Sequence, residues 1–190
     1  MKIKMVLTGM LGENCWIVSD DGGNAAVIDP GDNADRILRE IRRDGLTVAW
    51  ILVTHNHFDH VGALCALHES TGAPVAVHAL EAGDLPLQAD RLLGDGDTLS
   101  CGQMTFEVMH TPGHTPGSVV YLCGDAMFSG DTLFWESIGR TDLPGGDFSE
   151  MRRSLKKIRE LDREDLRICP GHMQETTLAY EREHNPFFGL

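Results

Sequence analysis

The stretch AWILVTHNHFDHVG, residues 49–62, joins a continuous apolar run to a dense group of histidines and one aspartate. A short apolar run that changes abruptly to polar residues predicts a buried strand ending at the change. The polar side chains that follow are poor core residues but good metal ligands. The stretch therefore predicts a buried strand with metal ligands at its end. These ligand-type residues are His55, His57, Asp59 and His60.

Short apolar segments alternate with amphipathic segments along the rest of the chain. The first thirty residues read as three strands separated by turns, and Gly22-Gly23 is typical of a hairpin. Because the opening strands are so many, a sandwich of sheets with outer helices is favoured over a single open sheet. We predict an α+β fold in one domain, residues 1–190. Helices are predicted over residues 33–45, 60–72, 149–161 and 175–188, a hairpin over 117–130, and the last strand over 166–171.

Details of these elements also lead to expectations. Ser149 is expected to cap the third helix, and the fourth is expected to stop near Asn185-Pro186. His78 is expected to open a helix. The segment 184–190 is expected to pack a C-terminal helix rather than to line a pocket.

The charge of the chain narrows the class of partner. The formal net charge is −13, from 16 basic and 29 acidic residues, whereas nucleic-acid binders usually carry a basic patch. No apolar stretch is long enough to span a bilayer, and the N-terminus lacks the apolar core of a signal peptide. Five scattered cysteines fit reduced thiols. We therefore expect a cytoplasmic protein that binds no nucleic acid and no membrane; its oligomeric state is left open.

Three further strand-like runs lead into ligand-type residues, each preceded by a glycine. These residues are His114, Asp131 and His172. Together with the first stretch they make seven candidate ligands, whereas one catalytic zinc takes about three or four protein ligands. Two ions that share a bridging carboxylate account for the number. The absence of a thiolate suits zinc, with iron and manganese as alternatives.

Other polar residues have a structural and a functional interpretation. His68, His78 and His184 are expected to be structural or solvated, whereas His110 either orients a ligand or is a buried, hydrogen-bonded histidine. Arg140 and Asp142 could contact an anionic substrate, but a salt bridge within the loop is favoured. Asp29 is expected to form a turn rather than a contact in the site.

The motifs THNHFDH, HTPGHTPGS, FSGDTLF and CPGH stand in the order of the metallo-β-lactamase-fold hydrolases, which the chain resembles over nearly its whole length. The segments DTLFWESIGRTDLPGGD and LAYEREHNPFF resemble those of the short glyoxalase II-like (hydroxyacylglutathione hydrolase-like) group. The resemblance implies an αββα sandwich of two mixed sheets with the site along one edge. It also implies that the first metal is bound by His55, His57 and His114 and the second by Asp59, His60 and His172, with Asp131 bridging.

The same resemblance implies a binuclear metallohydrolase acting on small-molecule thioesters of the S-lactoylglutathione type. A metal-bridging hydroxide would attack the carbonyl carbon. Asp59 and Asp131 are expected to take part in catalysis, with Asp131 accepting the proton. The β-lactamases of the superfamily place cysteine where Asp131 stands and are exported, so that activity is not expected.

Two other functions are open on the same ligands. One is a persulfide dioxygenase with a single iron held in the pattern of His55, His114 and Asp131; relatives with that activity carry a similar GRTD loop. The other is a binding module that takes metal but turns nothing over. Metal content and turnover separate the three.

Overall fold

The computed structural model describes residues 1–163 and 165–189 of the 190-residue chain. Five α-helices are present in this part, besides two short 3₁₀ turns: α1 Ala34–Arg43, α2 Phe58–Val61, α3 Leu64–Thr71, α4 Phe148–Arg159 and α5 Leu178–His184. The strands of the first half are β1 Lys2–Thr8, β2 Glu13–Ser19, β3 Asn24–Ile28, β4 Thr47–Val53, β5 Val75–His78 and β6 Arg91–Leu93. Those of the second half are β7 Thr98–Cys101, β8 Met104–His110, β9 Val119–Cys123, β10 Ala126–Gly130, β11 Leu133–Phe134, β12 Ser137–Ile138, β13 Arg167–Pro170 and β14 Thr176–Thr177.

The strands form two mixed six-stranded sheets and a small hairpin. The first sheet has the order β1-β2-β3-β4-β5-β6, antiparallel up to β3 and parallel from β3 onward. The second has the order β14-β13-β10-β9-β8-β7, in which only the pair of β10 and β13 is parallel. The predicted hairpin is β9 and β10. Each half of the chain thus builds one sheet.

Three apolar clusters show how the layers stack. The largest lies between the two sheets and contains Trp16, Phe106, Tyr121 and Phe128. A second lies between the first sheet and helices α1 and α3, and a third between the second sheet, α4 and the C-terminal segment. The order of layers is helix, sheet, sheet, helix. The predicted αββα sandwich is confirmed.

The predicted helix over residues 60–72 is wrong in its extent. The structure has two helices, α2 and α3, because the chain between them packs against residues 30–31. Ala63 N–H donates to Pro30 O at 2.9 Å, and a Cβ on Gly62 would lie 2.3 Å from Gly31 O. Helix α2 is therefore a short helix beside the end of β4, separate from α3.

Three smaller predictions are also wrong. Asp147, not Ser149, caps α4: its carboxylate accepts from Ser149 N and Glu150 N, and the helix begins at Phe148. His78 ends strand β5 instead of opening a helix. The last strand is β14, a two-residue edge strand that takes Thr176 out of the predicted fourth helix.

The expectations for the end of α5 and for the segment 184–189 are confirmed, while Leu190 lies outside the described residues. Helix α5 ends at His184, just before Asn185-Pro186, and Phe188 is buried in the cluster under α4. Four of the five cysteines are buried, and Cys65 is half-buried. No helix in the described part of the chain is long and apolar enough to cross a membrane.

Candidate metal centre

The first four candidate ligands lie at the end of β4. The strand stops at Val53, and the chain runs through His55 and His57 into α2, which begins at Phe58 and carries Asp59 and His60 in its single turn. His55 and His60 are fully buried, whereas Asp59 is partly exposed. The abrupt change from apolar strand to short helix thus gathers four ligand-type side chains at one edge of the first sheet.

The second sheet supplies the other three candidates at the same edge. Asp131 directly follows β10, His172 lies two residues beyond β13, and His114 lies in the loop between β8 and β9. Two glycines let these loops approach the first sheet. Gly130 has φ +47°, and a Cβ there would lie 2.4 Å from Thr54 Oγ1. A Cβ on Gly171 would lie 2.5 Å from Asp131 Oδ1, so any larger residue would fill the centre.

The seven side chains form two adjoining clusters. Ligand atoms of the first cluster lie within 4.8 Å of one another, as do those of the second. In the first, His57 Nδ1 is 2.9 Å from His114 Nε2, and in the second His172 Nε2 is 3.3 Å from Asp59 Oδ2. The first consists of His55, His57 and His114, and the second of Asp59, His60 and His172.

Asp131 lies between the two clusters. Its Oδ1 is 3.3 Å from His60 Nε2, while its Oδ2 is 3.5 Å from His114 Nε2 and 3.7 Å from His172 Nε2. One carboxylate therefore reaches ring nitrogens of both clusters. This is the position that a carboxylate bridging two ions would take.

The buried polar atoms of the clusters fit metal ions. His55 Nε2, His60 Nε2 and Asp131 Oδ1 are buried, yet none has a hydrogen-bond partner among the described residues. A buried polar atom without a partner costs about 1–3 kcal/mol, and coordination of a cation would satisfy it. All three atoms belong to predicted ligands. The donor set, imidazole and carboxylate without thiolate, is that of zinc, iron or manganese.

Three of the imidazole rings also have an oxygen atom within hydrogen-bond distance of Nδ1. Thr54 Oγ1 lies 3.0 Å from His55 Nδ1, Asp29 Oδ2 lies 3.1 Å from His60 Nδ1, and Arg140 O lies 2.7 Å from His114 Nδ1. With Nδ1 donating to oxygen, each Nε2 presents a lone pair to the centre. Metal-binding histidines in proteins commonly have such a partner on the other ring nitrogen.

The electrostatics of the metal-free clusters follow from burial and crowding. Burial and the neighbouring imidazoles lower the pKa of His55 well below its usual range, and burial with His114 lowers that of His57. Burial opposes ionisation of Asp59, but the hydrogen bond with His172 and the charge of His60 outweigh it, and its pKa falls to about 2. Burial opposes protonation of His60 and His172, but the neighbouring carboxylates outweigh it and raise the pKa of both, that of His60 well above its usual range. Neutral imidazoles and ionised carboxylates are the forms that bind cations, so an ion entering the second cluster would displace protons from these two rings.

The interpretation of Asp29 as a turn residue is wrong. It does have a turn-type φ of +50°, but its carboxylate is buried and contacts residues of the site. It accepts from Thr54 N at 2.7 Å and from Thr54 Oγ1 at 2.6 Å, besides contacting His60. These contacts occupy both oxygens, so Asp29 orients His60 instead of binding an ion. The Asp29-Pro30 dipeptide by itself signals only a turn.

Two further buried residues near the centre have no local sequence signal. Glu13 is 1% exposed, accepts from Thr8 Oγ1 at 2.5 Å and has its other oxygen 4.0 Å from His60 Nδ1. Burial raises its pKa to about 9, although the charge of His60 acts in the opposite direction. Asn14 Nδ2 donates to Pro170 O at 3.1 Å and to Met173 O at 2.8 Å, and so holds both ends of the loop that carries His172.

Other residues for which the sequence left a role in the site open lie outside the two clusters. Arg140 donates two hydrogen bonds to Asp142, which is the salt bridge favoured from the sequence. His110 Nε2 lies 2.9 Å from Pro116 O, and its ring stacks on His78 with centroids 4.3 Å apart. Of the two interpretations of His110, the hydrogen-bonded histidine describes these contacts, but the side chain is half-buried and not buried as expected.

The fold and its clusters define a class: an αββα sandwich with two adjoining sets of histidine and carboxylate ligands at one edge. The family model of the metallo-beta-lactamase superfamily matches residues 8–172, and the chain belongs to that family. Hydroxyacylglutathione hydrolase GloC of Haemophilus influenzae is 35% identical over 98% of each chain.

Two solved structures are similarly close. That of BLEG-1, described as a B3 metallo-beta-lactamase, superposes with a TM-score of 0.93 and 37% identity, covering 98% of this chain and 99% of the other. That of ETHE1 from Myxococcus xanthus gives 0.89 and 32%, covering 98% and 84%. The chain is thus a metallo-β-lactamase-superfamily protein, and members of this family are generally metal-dependent hydrolases.

Proposed function

We propose that the protein is a binuclear metallohydrolase that cleaves thioesters of the S-lactoylglutathione type. The observation that carries the proposal is the position of Asp131, whose two oxygens reach ring nitrogens of both clusters. The similarity to GloC, called a hydroxyacylglutathione hydrolase, supports the thioester as substrate. Two zinc ions are proposed as the cofactor.

The proposed assignment gives each predicted ligand a place. His55, His57 and His114 would hold one ion, Asp59, His60 and His172 the other, with Asp131 between them. Two divalent ions held by these residues would polarise the substrate carbonyl and supply a nucleophile from water at neutral pH.

The chain's own residues then determine access and proton transfer. His55 and His60 are fully buried, whereas Asp59 and His172 keep about a fifth of their side chains exposed, 17% and 20%. His57 of the first cluster is partly exposed as well, so substrate would approach from the side on which His57, Asp59 and His172 are exposed. Besides holding the two ions, Asp131 would accept the proton that the attacking water loses. A thiolate leaves without a general acid, so no further acid is needed.

One purified sample tests the proposal. Metal content is measured by elemental analysis, and release of free thiol from S-lactoylglutathione is followed with a thiol reagent. We expect two metal ions per chain and turnover, and we expect both to fall in His57→Ala and His60→Ala. Two ions and full activity in His60→Ala would refute the binuclear assignment. Because BLEG-1 is described as a β-lactamase, a chromogenic β-lactam is assayed beside the thioester.

A persulfide dioxygenase is the second candidate, favoured by the similarity to ETHE1. It would use one iron at His55, His114 and Asp131, and His114 Nε2 already lies 3.5 Å from Asp131 Oδ2. About one iron per chain, with oxygen uptake on glutathione persulfide and no thioester cleavage, would establish it in place of the hydrolase. Full metal occupancy without turnover of any substrate would instead identify a binding module.

A further inference from the structure

Glu81 is a buried carboxylate that joins the two loops of the first cluster. It lies three residues beyond β5 and is 1% exposed. Its Oε2 accepts from Asn56 N at 3.0 Å, and its Oε1 accepts from Thr115 Oγ1 at 2.8 Å and Gly117 N at 2.7 Å. Asn56 Nδ2 adds a hydrogen bond to the backbone carbonyl of Glu81 at 3.3 Å.

These donors lie next to the histidines of the first cluster in the sequence. Asn56 stands between His55 and His57, and Thr115 directly follows His114. The first loop leaves the first sheet, and the second belongs to the second sheet. Glu81 therefore connects, through one carboxylate, the two loops that must meet to complete the cluster of three histidines.

We propose that Glu81 is a positioning residue that sets the separation of His55 and His57 from His114, and with it the affinity of the first metal ion. The inference rests on the proposed metal centre but concerns a residue outside it. Glu81 does not contact any of the three rings in the hydrogen bonds described, so its effect is transmitted through Asn56 and Thr115.

Two physical features make this connection strong. Hydrogen bonds to an ionised carboxylate are about twice as strong as bonds between neutral groups. The contact is also tightly packed, because a Cβ on Gly117 would lie 2.7 Å from both Cγ and Oε1 of Glu81. A loop held in this way has little freedom to move away from its partner, which keeps the histidines in place before an ion arrives.

Glu81→Gln is the most direct test. Glutamine keeps one acceptor oxygen, so its NH₂ group must face either Asn56 N–H or the pair of donors on Thr115 and Gly117. One of the two loops then loses its hydrogen bond to the side chain at position 81, whereas the bond from Asn56 Nδ2 to the backbone carbonyl remains. We expect the affinity for the first zinc ion to fall about 10- to 100-fold, as is typical when the partner that orients a metal ligand is lost. Zinc affinity is measured by competition with a chromophoric chelator.

The affected ion is identified in a second background. His172→Ala removes one ligand of the second cluster and leaves the first complete. Adding Glu81→Gln to this variant should weaken the remaining binding step by the same factor. Cobalt substitution gives an independent signature, because the visible absorption of the first site should change in Glu81→Gln.

Glu181→Gln is the matched control. Glu181 is equally buried and accepts from Glu136 N, Thr176 Oγ1 and Asn185 Nδ2, but it connects the C-terminal helix instead of the histidine loops. Its substitution should lower the melting temperature without changing zinc affinity at the first site. If Glu81→Gln does not fold, Thr115→Val removes one of the three donors to Glu81, together with the contact to Ser118 Oγ, and should give a smaller loss in the same direction.

The outcomes separate this inference from the proposed function. A wild-type chain that binds no metal refutes the metal centre itself. A wild-type chain that binds two ions, with a folded Glu81→Gln that binds both as tightly, overturns only the role of Glu81. Wild-type affinity in Thr115→Val overturns it in the same way where Glu81→Gln does not fold.

Discussion

Asp29 Oδ2 lies 3.1 Å from Nδ1 of His60, on the side of the ring away from the two clusters. The same carboxylate accepts from the backbone and the hydroxyl of Thr54, one residue before His55. A single buried aspartate thus fixes the ring of His60 and the start of the loop that carries His55. The edge of the first sheet is held in place from behind by this residue.

Asp29→Asn tests that arrangement. Asparagine tolerates the left-handed backbone of position 29, but it has one acceptor oxygen for contacts that now use two. We expect metal affinity at the cluster containing His60 to fall about 10- to 100-fold, measured by chelator competition. Asp142→Asn, an exposed carboxylate bound only to Arg140, should bind both ions normally. Equal affinities in the two variants would contradict the role of Asp29.

Asn14→Asp tests the hold on the loop of His172. The change replaces a buried donor with an acceptor that faces the carbonyls of Pro170 and Met173. We expect the free energy of unfolding to fall by about 1–3 kcal/mol, since Met173 O loses its donor and a buried carboxylate then faces two carbonyls, although Pro170 O keeps the hydrogen bond from Trp16 Nε1 at 3.0 Å. Metal binding at the second cluster should weaken with it. If urea denaturation shows a loss of stability but metal binding does not change, Asn14 joins the two sheets without positioning His172.

Glu13→Gln tests the pH dependence of the metal-free protein. The folded state holds the pKa of Glu13 at about 9 against an ordinary value of 4.5, so the folded chain keeps a proton that the unfolded chain releases. Stability from this group is complete below pH 4.5 and is lost as the pH rises toward 9, at up to about 1.4 kcal/mol per pH unit. Glutamine does not titrate, so the variant should gain stability relative to wild type as the pH rises. Urea denaturation from pH 5 to 8, with a chelator present, measures the difference; a constant difference would contradict it.

Asp147→Ala tests the start of α4. The Asp147 carboxylate accepts from two backbone N–H groups of the first turn, and the loss of such a cap costs about 0.5–2 kcal/mol. Ser149 contributes its backbone N–H rather than its hydroxyl, so Ser149→Ala should leave the unfolding free energy nearly unchanged. Thermal denaturation of the two variants compares them directly. If Ser149→Ala lowered the melting temperature more than Asp147→Ala, the capping residue would be Ser149.

The sequence is most informative where a local pattern determines the structure. The apolar run before Thr54 predicts both the buried strand β4 and the point at which its ligands begin. The runs before Asp131 and His172 do the same for β10 and β13. Each ends at the same edge of the sandwich, and hence the candidate ligands could be collected before any contact was known.

Residues that act across the fold leave no such pattern. Glu81 lies 25 positions from Asn56 and 34 from Thr115, and nothing in the segment around it distinguishes a buried acceptor from a solvated acid. Asp29 reads as a turn because its conformation is that of a turn. Asp147 and Ser149 are both good capping residues, and only the hydrogen bonds decide between them.

The division of the clusters between the two sheets has a consequence for synthesis of the chain. Each cluster takes two residues from the loop and helix after β4 and its third from the second half: His114 for one, His172 for the other. A growing polypeptide therefore presents only fragments of both sites until position 114 has emerged. The second set stays incomplete until position 172, which follows strand β13, has emerged as well. Assembly of both clusters is thereby tied to the pairing of the two sheets.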